Sequence, residues 1–335
     1  MKTLRLFGAH DLRLLDEPLP VPGPGESLLK VTSVGICGSD VHWFSEGCIG
    51  GVPLTQPLVL GHEFTADVVS GPLKGSRVAV DPAIPCGECE FCLQGNPNLC
   101  PSVRFAGTGT VDGALADFIA WPNQNLFPMP DAVSNHDGAL LEPLGVAMHA
   151  LSLGPIQPGM SVGVYGCGPV GLLTIQLARL AGATHIYASD ILPERVKTAL
   201  VMGASEAYLA DGHEREAIRS ATHQRGVDVA FEAAGADEAV ETAMVTCKPG
   251  GRVVIIGIPS EDRTTFTASV ARKKGLSIMM CRRMKHTYPR AIDLVASGRL
   301  DLKQLVSHCF TFEEYQQAFL SAERRDGIKA VIDLG

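Results

Sequence analysis

The chain has 335 residues, of which 46% are hydrophobic and 19% charged, and its formal net charge is −8. This length and composition are typical of a globular protein with two domains. The acidic balance disfavours nucleic acid and anionic lipid as partners and favours small molecules. No apolar run approaches the ~18 residues that a membrane span needs. Because charged residues interrupt the N-terminus before a secretory segment could form, we expect a cytoplasmic location.

Residues 1–150 predict a mostly antiparallel β domain. The segment is rich in Gly and Pro, and its short β-type runs are separated by turn residues. Strands are predicted at 27–34, 58–60, 77–80 and 116–120.

Residues 151–275 predict a parallel sheet, because strand and helix patterns alternate there. Strands are predicted at 161–165, 185–190, 227–231 and 252–258, with a helix at 172–180. The last segment, 276–335, carries a helix at 288–297 and a strand at 330–334. We expect it to return and complete the two domains.

Four of the ten cysteines lie within one polar loop, CGECEFCLQGNPNLC, at Cys86, Cys89, Cys92 and Cys100. In a large chain without a secretory segment, clustered cysteines favour a metal over disulfides, and four thiolates match a tetrahedral zinc site. Four incidental thiols are the alternative. Since four sulfurs leave no coordination position open, the predicted zinc is structural.

The segment GCGPVG at residues 166–171 fits a dinucleotide-binding turn, because it follows a predicted strand and opens a helix. Gly166, Gly168 and Gly171 would allow the turn, the approach of the pyrophosphate and close helix packing, with Pro169 and Val170 between them. Asp190 ends the next strand, where a carboxylate accepts hydrogen bonds from ribose hydroxyls and repels a 2′-phosphate. The sequence thus favours NAD over NADP; the alternative is a solvated turn with Asp190 as a helix cap.

A second metal site is predicted from two short segments, CGSDVH at residues 37–42 and GHE at 61–63. Cys37 and His62, with a carboxylate from Glu63 or Glu142, would supply three zinc ligands and leave one position for water or substrate oxygen. Zinc lowers the pKa of an alcohol, and a chain from Ser39 to His42 could carry the proton away. The alternatives are buried core residues, turn capping and surface solvation.

These motifs together give a family resemblance. GICGSDVH, LGHE, the four-cysteine loop, EPL and GCGPVG, in that order, resemble the zinc-dependent medium-chain dehydrogenase/reductase superfamily, and within it the sorbitol/xylitol (polyol) dehydrogenase group. The resemblance implies a split GroES-like catalytic domain with an inserted Rossmann domain. It also implies two zinc ions and NAD per chain, and a homo-oligomer assembled through the Rossmann sheets as a dimer or tetramer.

The resemblance also implies roles for individual residues. Cys37, His62 and Glu63 would hold the catalytic zinc, and Glu142 would bind it directly or through its water. Asp190 and Arg195 would flank the adenosine ribose. The further residues implied at the cofactor are Ile258, Met280 and Arg282, and those implied at the substrate are Trp43, Glu142, Arg282 and Arg283.

Two departures leave the substrate open, because Trp43 and Arg283 stand where polyol enzymes commonly have tyrosines. The main hypothesis is NAD-dependent oxidation of a secondary hydroxyl of a polyol to a ketose. The cationic segment RRMKH at 282–286 favours a second one, a sugar acid of the idonate type or a sugar phosphate as substrate. A third, a zinc-ribbon binding protein without catalysis, is disfavoured because the cysteine loop carries Glu88 and Glu90 and no interleaved basic residues.

Overall fold

The computed structural model describes residues 1–335 and divides into two compact units. The first, the catalytic unit, is formed by Met1–Gly145 and Lys285–Gly335, and the second, the nucleotide unit, by Val146–Met284. The nucleotide unit is longer at both ends than the predicted 151–275. Its last strand, Ser277–Met280, pairs with the sheet of that unit, and the helix Leu141–Leu153 runs across the first boundary. None of the helices has the length and apolar character needed to span a bilayer.

The catalytic unit consists mainly of short strands. Its strands are β1 (Lys2–Leu6), β2 (Leu12–Asp16), β3 (Glu26–Gly35), β4 (Cys48–Ile49), β5 (Val52–Pro53), β6 (Leu58–Val59), β7 (Glu63–Val68), β8 (Arg77–Val80), β9 (Ala83–Ile84), β10 (Arg104–Phe105), β11 (Phe118–Pro122) and β12 (Leu126–Pro128), followed after the nucleotide unit by β19 (Val306–Thr311) and β20 (Lys329–Asp333). Its helices are α1 (Gly38–Glu46), α2 (Glu90–Leu93), α3 (Asn135–Ala139), the start of α4 (Leu141–Leu153), α10 (Tyr288–Ala296) and α11 (Tyr315–Glu323).

A seven-stranded sheet organises this unit, in the order β12-β8-β7-β3-β20-β19, with β11 also paired to β3. All of its pairs are antiparallel except β19 with β20. The returning strand β20 lies beside β3, so the C-terminal segment completes the catalytic unit. Apolar residues from β1, β3, β7 and α11 form one hydrophobic core under this sheet.

The nucleotide unit alternates strand and helix. Its elements after α4 are β13 (Ser161–Tyr165), α5 (Pro169–Leu180), β14 (His185–Asp190), α6 (Pro193–Val201), β15 (Glu206–Leu209), α7 (Glu214–Ala221), β16 (Val227–Glu232), α8 (Asp237–Thr246), β17 (Cys247–Ile255), α9 (Ala268–Lys274) and β18 (Ser277–Met280). The sheet order is β15-β14-β13-β16-β17-β18, and every pair is parallel. This is the doubly wound Rossmann order, whose ligand crevice lies at the ends of the paired strands β13 and β16, where the strand order reverses. The predicted parallel sheet is therefore confirmed.

Two strands differ from the predicted bounds by two residues or more. β17 begins at Cys247, which pairs with Val227, and it ends at Ile255. It ends there because the N–H groups of Ile256 and Gly257 both donate to the carbonyl of Glu232, which stops the regular ladder. β11 starts at Phe118 instead of residue 116, because Ala116 bridges to Thr3 and the N–H of Asp117 donates to Lys2.

Candidate active site and cofactor sites

The four predicted structural ligands form one cluster. The Sγ atoms of Cys86, Cys89, Cys92 and Cys100 all lie within 4.8 Å of one another. The distances are 3.5 Å for Cys89–Cys92 and Cys86–Cys100 and 3.9 Å for Cys86–Cys92, close to the about 3.8 Å between sulfurs on a tetrahedral zinc with 2.3 Å bonds. These separations are too long for disulfides. The cluster fits zinc.

Backbone groups prepare this cluster for an ion. The N–H of Cys89 points at Cys86 Sγ at 3.4 Å, and the N–H of Cys86 at Cys100 Sγ at 3.3 Å. Backbone N–H groups of Glu88 and Cys89 lower the pKa of Cys86 to about 7, which favours the thiolate that zinc needs.

The loop is also tied to the C-terminal segment of the same unit. Lys285 Nζ donates to Asn96 Oδ1 at 2.6 Å, so one cation of the 282–286 segment is engaged in holding the four-cysteine loop.

Three predicted ligands of the catalytic metal lie together in the catalytic unit. Cys37 precedes α1, His62 precedes β7, and Glu63 is the first residue of β7; one ligand atom of each lies within 4.8 Å of the others. His62 is 4% exposed and Glu63 1%. Gly35 leaves room for this carboxylate, since a Cβ there would lie 2.5 Å from Glu63 Oε2. We call these three residues the ligand cluster; its thiol, imidazole and carboxylate match the ligands of zinc.

Asp40 lies behind the histidine of the ligand cluster, a contact that the sequence analysis did not predict. Its Oδ1 lies 3.4 Å from His62 Nδ1 and accepts the N–H of Gly61 at 3.1 Å, while its Oδ2 accepts the N–H of Cys37 at 2.9 Å. Burial opposes its ionisation, but His62 and these N–H groups outweigh burial and lower the pKa of Asp40. A carboxylate behind a histidine is the usual outer partner of a metal-bound imidazole.

The electrostatics of the cluster favour a cation. Burial opposes protonation of His62, but Asp40 and Cys37 outweigh it and raise the pKa of this imidazole well above its usual value. The same negative groups would attract a divalent metal ion.

Lys329 is a second residue that the sequence analysis missed. Its Nζ lies 2.5 Å from Glu63 Oε2 and donates to the carbonyl of Ile36 at 3.0 Å, and its side chain is 3% exposed. Burial opposes the charge, but Glu63 and Cys37 outweigh it and raise the pKa of Lys329, which keeps this lysine charged. Lys329 therefore offsets the charge of one carboxylate of the ligand cluster.

Glu142 lies near the ligand cluster without belonging to it. It lies in the first turn of α4, directly after Leu141, and is buried. Burial raises its pKa to about 7, and the charge of Glu63 adds to this while His62 opposes it. A carboxyl poised in this way can stand beside a metal-bound group without adding a full negative charge.

The predicted proton chain is only partly assembled. Ser39 Oγ lies 3.5 Å from His62 Nε2, beside the ligand cluster. His42 Nδ1 contacts Glu46 Oε1 at 2.9 Å, and Ser39 and His42 share no direct hydrogen bond. Trp43, a predicted substrate residue, is buried in the hydrophobic core with no hydrogen-bond partner for Nε1.

In the nucleotide unit, the glycine turn has the predicted form. Gly166 follows β13 with φ +97°, and a Cβ on it would lie 2.7 Å from the backbone of Ala234. A Cβ on Gly171 would lie 1.9 Å from the carbonyl oxygen of Gly166, so only glycine fits there. Gly168 caps α5, and Pro169 and Val170 form its first turn. This closely packed turn at the start of a helix fits a pyrophosphate.

Asp190 closes the turn at the end of β14. Its Oδ2 accepts the N–H of Cys167 at 2.7 Å and its Oδ1 the N–H of Leu192 at 2.9 Å. The Arg195 guanidinium lies near Gly168, since a Cβ built there would be 3.7 Å from it. Asp190 therefore links the glycine turn to the end of β14 through both of its carboxylate oxygens.

The remaining predicted cofactor and substrate residues lie at the end of β18 or after β17 and β18. Ile258 and Met280 are 58% and 65% exposed, Arg282 is exposed, and Arg283 is half-buried with φ +55°. Because all strands of this sheet are parallel, these residues lie at the same edge as Gly166. A positive φ is unusual for arginine, so the backbone turns sharply at Arg283.

Comparison with protein families matches two models to the chain. Residues 23–131 match the alcohol dehydrogenase GroES-like domain, and residues 169–297 match the zinc-binding dehydrogenase model. Zinc and NAD(H) are typical cofactors of this family.

Two similar relatives align over almost the whole chain. Sorbitol dehydrogenase of Bacillus subtilis (strain 168) is 35% identical, covering 95% of this chain and 92% of its own. Probable D-xylulose reductase A of Arthroderma otae is 39% identical, covering 98% and 95%.

Solved structures agree with these relatives. A zinc-binding dehydrogenase of Sinorhizobium meliloti 1021 bound to NADP has a TM-score of 0.91 and 31% identity, with 99% of each chain covered. L-idonate 5-dehydrogenase of Escherichia coli str. K-12 has a TM-score of 0.92 and 26% identity, with 99% of this chain and 98% of that one covered. The predicted fold class is thereby confirmed, and the chain belongs to the polyol dehydrogenase-like group of the zinc-dependent medium-chain dehydrogenase/reductase superfamily.

Proposed function

We propose that the protein oxidises a secondary hydroxyl of an open-chain polyol to a ketose, with NAD as the hydride acceptor. The observation that carries the proposal is the ligand cluster of Cys37, His62 and Glu63, because three protein ligands leave zinc a position for a substrate. The relatives named sorbitol dehydrogenase and probable D-xylulose reductase A support a polyol-type substrate.

In this proposal each residue around the cluster has one task. The ligand cluster holds the zinc with Glu142 beside it, while Asp40 orients His62 and Lys329 offsets the charge of Glu63. When bound, zinc would act as a Lewis acid that lowers the pKa of a hydroxyl group, and NAD would accept the hydride.

Ser39 is the residue that takes the substrate proton in this proposal. Its hydroxyl lies 3.5 Å from His62 Nε2, and a hydroxyl can accept one proton while donating its own. His42 stands one turn further along α1 with Nδ1 held by Glu46. Since Ser39 and His42 do not touch, a bridging group such as water is needed to pass the proton to His42.

The choice of NAD rests on Asp190. A 2′-phosphate would meet its carboxylate, whereas ribose hydroxyls can donate to it. Arg195 near Gly168 could offset part of this repulsion. The similar structure bound to NADP is consistent with a site of this fold that accepts a 2′-phosphate. The predicted homo-oligomer and cytoplasmic location stay predictions.

A sugar acid is the second candidate substrate, favoured by Arg282 and Arg283 and by the similarity to L-idonate 5-dehydrogenase. The cationic segment is weaker than its sequence suggests, because Lys285 is engaged with Asn96. We therefore rank the polyol first.

The test is NADH formation by the zinc-loaded enzyme on matched substrates: sorbitol, xylitol and L-idonate, each with NAD and with NADP. We expect the polyols with NAD to give the highest kcat/KM and His62→Ala to abolish turnover with the fold retained. Turnover of L-idonate alone would favour the second candidate. Undiminished turnover in His62→Ala would contradict the ligand cluster as the catalytic centre.

A further inference from the structure

A second group of chemistry-bearing side chains lies at one edge of the seven-stranded sheet of the catalytic unit. It consists of Cys309 on β19, His136 on α3 and Asp333 on β20, none of which has a role in the proposed polyol oxidation. His136 Nε2 contacts both carboxylate oxygens of Asp333, at 2.9 and 3.0 Å, and its Nδ1 lies 3.9 Å from Cys309 Sγ. We call these three residues the edge triad.

The contacts fix the tautomer of the imidazole. A carboxylate only accepts hydrogen bonds, so Nε2 carries the proton and Nδ1 presents a lone pair to the thiol. The distance of 3.9 Å is at the long end of the hydrogen-bond range for sulfur. Ser33 Oγ donates to Asp333 Oδ1 at 2.6 Å and so holds the carboxylate in place. A nucleophile, a base and a residue that orients the base are thus arranged in sequence.

Cys309 is open to reagents from solvent. It is exposed, and β19 pairs only with β20, so its other side is a free sheet edge. By contrast, Cys167 and Cys247 are buried, and the four-cysteine loop is built to hold a metal.

The thiol is protonated in the resting protein. Partial desolvation by neighbouring atoms, with a contribution from the charge of Asp333, raises the pKa of Cys309 although the residue is exposed. Reaction therefore depends on a base that removes the proton as the sulfur attacks, and His136 Nδ1 is the atom placed to do so.

We propose that Cys309 is a site of reversible thiol modification by low-molecular-weight disulfides, with His136 as its base and Asp333 as a positioning residue. Cys309 Sγ attacks one sulfur of the disulfide RS–SR while its proton moves to His136 Nδ1. The old S–S bond breaks, a new one joins Cys309 to SR, and the leaving RS⁻ takes the proton from His136 to become RSH. Cys309 is oxidised and one half of the reagent is reduced, so the step balances.

The test uses the zinc-loaded protein with 2-hydroxyethyl disulfide, a neutral reagent, and follows the mixed disulfide by intact mass and peptide mapping. We expect Cys309 to be the fastest cysteine to react and Cys309→Ser to remove that adduct. His136→Ala should slow the reaction of Cys309 at least tenfold. Asp333→Asn should slow it severalfold, and Asp333→Glu should restore part of the rate.

His308→Ala is the matched control, because His308 precedes Cys309 on β19 and its side chain points to the opposite face. In His308→Ala, the rate of mixed-disulfide formation at Cys309 should stay within about twofold of the rate in the chain without substitutions, since the His308 imidazole has no role in the step. The melting temperature of each variant shows whether a slower reaction reflects a loss of folding. If His136→Ala unfolds, the comparison of Asp333→Asn with Asp333→Glu provides the test. The proposal would be overturned if Cys309 formed the mixed disulfide as fast in His136→Ala, or in Asp333→Asn, as in the chain without substitutions.

Discussion

Lys329 offers the sharpest test of the ligand cluster. Its Nζ and Glu63 Oε2 are 2.5 Å apart, and the two side chains are 3% and 1% exposed. Lys329→Met keeps the length of the side chain but leaves the Glu63 carboxylate buried without its partner. Breaking a buried pair in this way costs about 3–5 kcal/mol of unfolding free energy. For a unit of this size, such a loss lowers Tm by roughly 6–20 °C.

Zinc should reduce this loss if Glu63 is a direct ligand. The metal would then supply the positive charge that Lys329→Met removes, so the variant should lose less stability when loaded with zinc than after chelation. Lys329→Met combined with Glu63→Gln is the control, because no uncompensated charge remains and most of the stability should return.

Scanning calorimetry of the three proteins, with zinc and with chelator, measures both effects. A loss below about 1 kcal/mol in zinc-free Lys329→Met would refute the argument from the buried pair, since even a surface pair reaches that value. A loss that is the same with and without zinc would instead argue against Glu63 as a ligand and favour Glu142.

Three further outcomes are expected. Cys89→Ser should lower the zinc content from two ions to one and lower Tm, because structural zinc is coupled to folding; two ions in the variant would contradict the four-cysteine site. Asp190→Ser should raise the NADP/NAD ratio of kcat/KM at least tenfold, and a natural preference for NADP would contradict the role given to Asp190. Arg283→Tyr should change kcat/KM for polyols by less than about tenfold, or roughly 1.4 kcal/mol. Selective loss of L-idonate turnover in that variant would show that a sugar acid is the substrate.

The sites that the sequence predicted are those built from residues close together in the chain. The four cysteines share one loop, and the glycine turn needs only a strand before it and a helix after it, so spacing alone brought out both. Two further short segments, CGSDVH and GHE, predicted Cys37 and His62 with Glu63 or Glu142, and the structure places ligand atoms of Cys37, His62 and Glu63 within 4.8 Å of one another. Roles for these residues at a zinc ion stay predictions.

The residues that the sequence analysis missed act through contacts distant in the chain. Asp40 was visible inside CGSDVH, but its contact with His62 depends on the packing of α1 against the start of β7. Lys329 carried no local signal at all, because a lysine at the start of a strand is usually exposed. The sequence analysis predicted a proton-transfer chain from Ser39 to His42. In the structure the serine contacts His62 and the histidine contacts Glu46.

The register of β3 explains why these distant residues meet. Gly35 pairs with Glu63 of β7 on one side and with Val331 of β20 on the other, and the next N–H, that of Ile36, donates to the carbonyl of Ala330 at 3.0 Å. The chain then reaches Cys37. The end of β3 therefore brings Cys37 and Glu63 together. It also places them beside β20, whose Lys329 supplies the counter-charge. Glycine at position 35 is required because any side chain would occupy the space of the Glu63 carboxylate. The C-terminal segment thus completes both the sheet of the catalytic unit and the electrostatics of the ligand cluster.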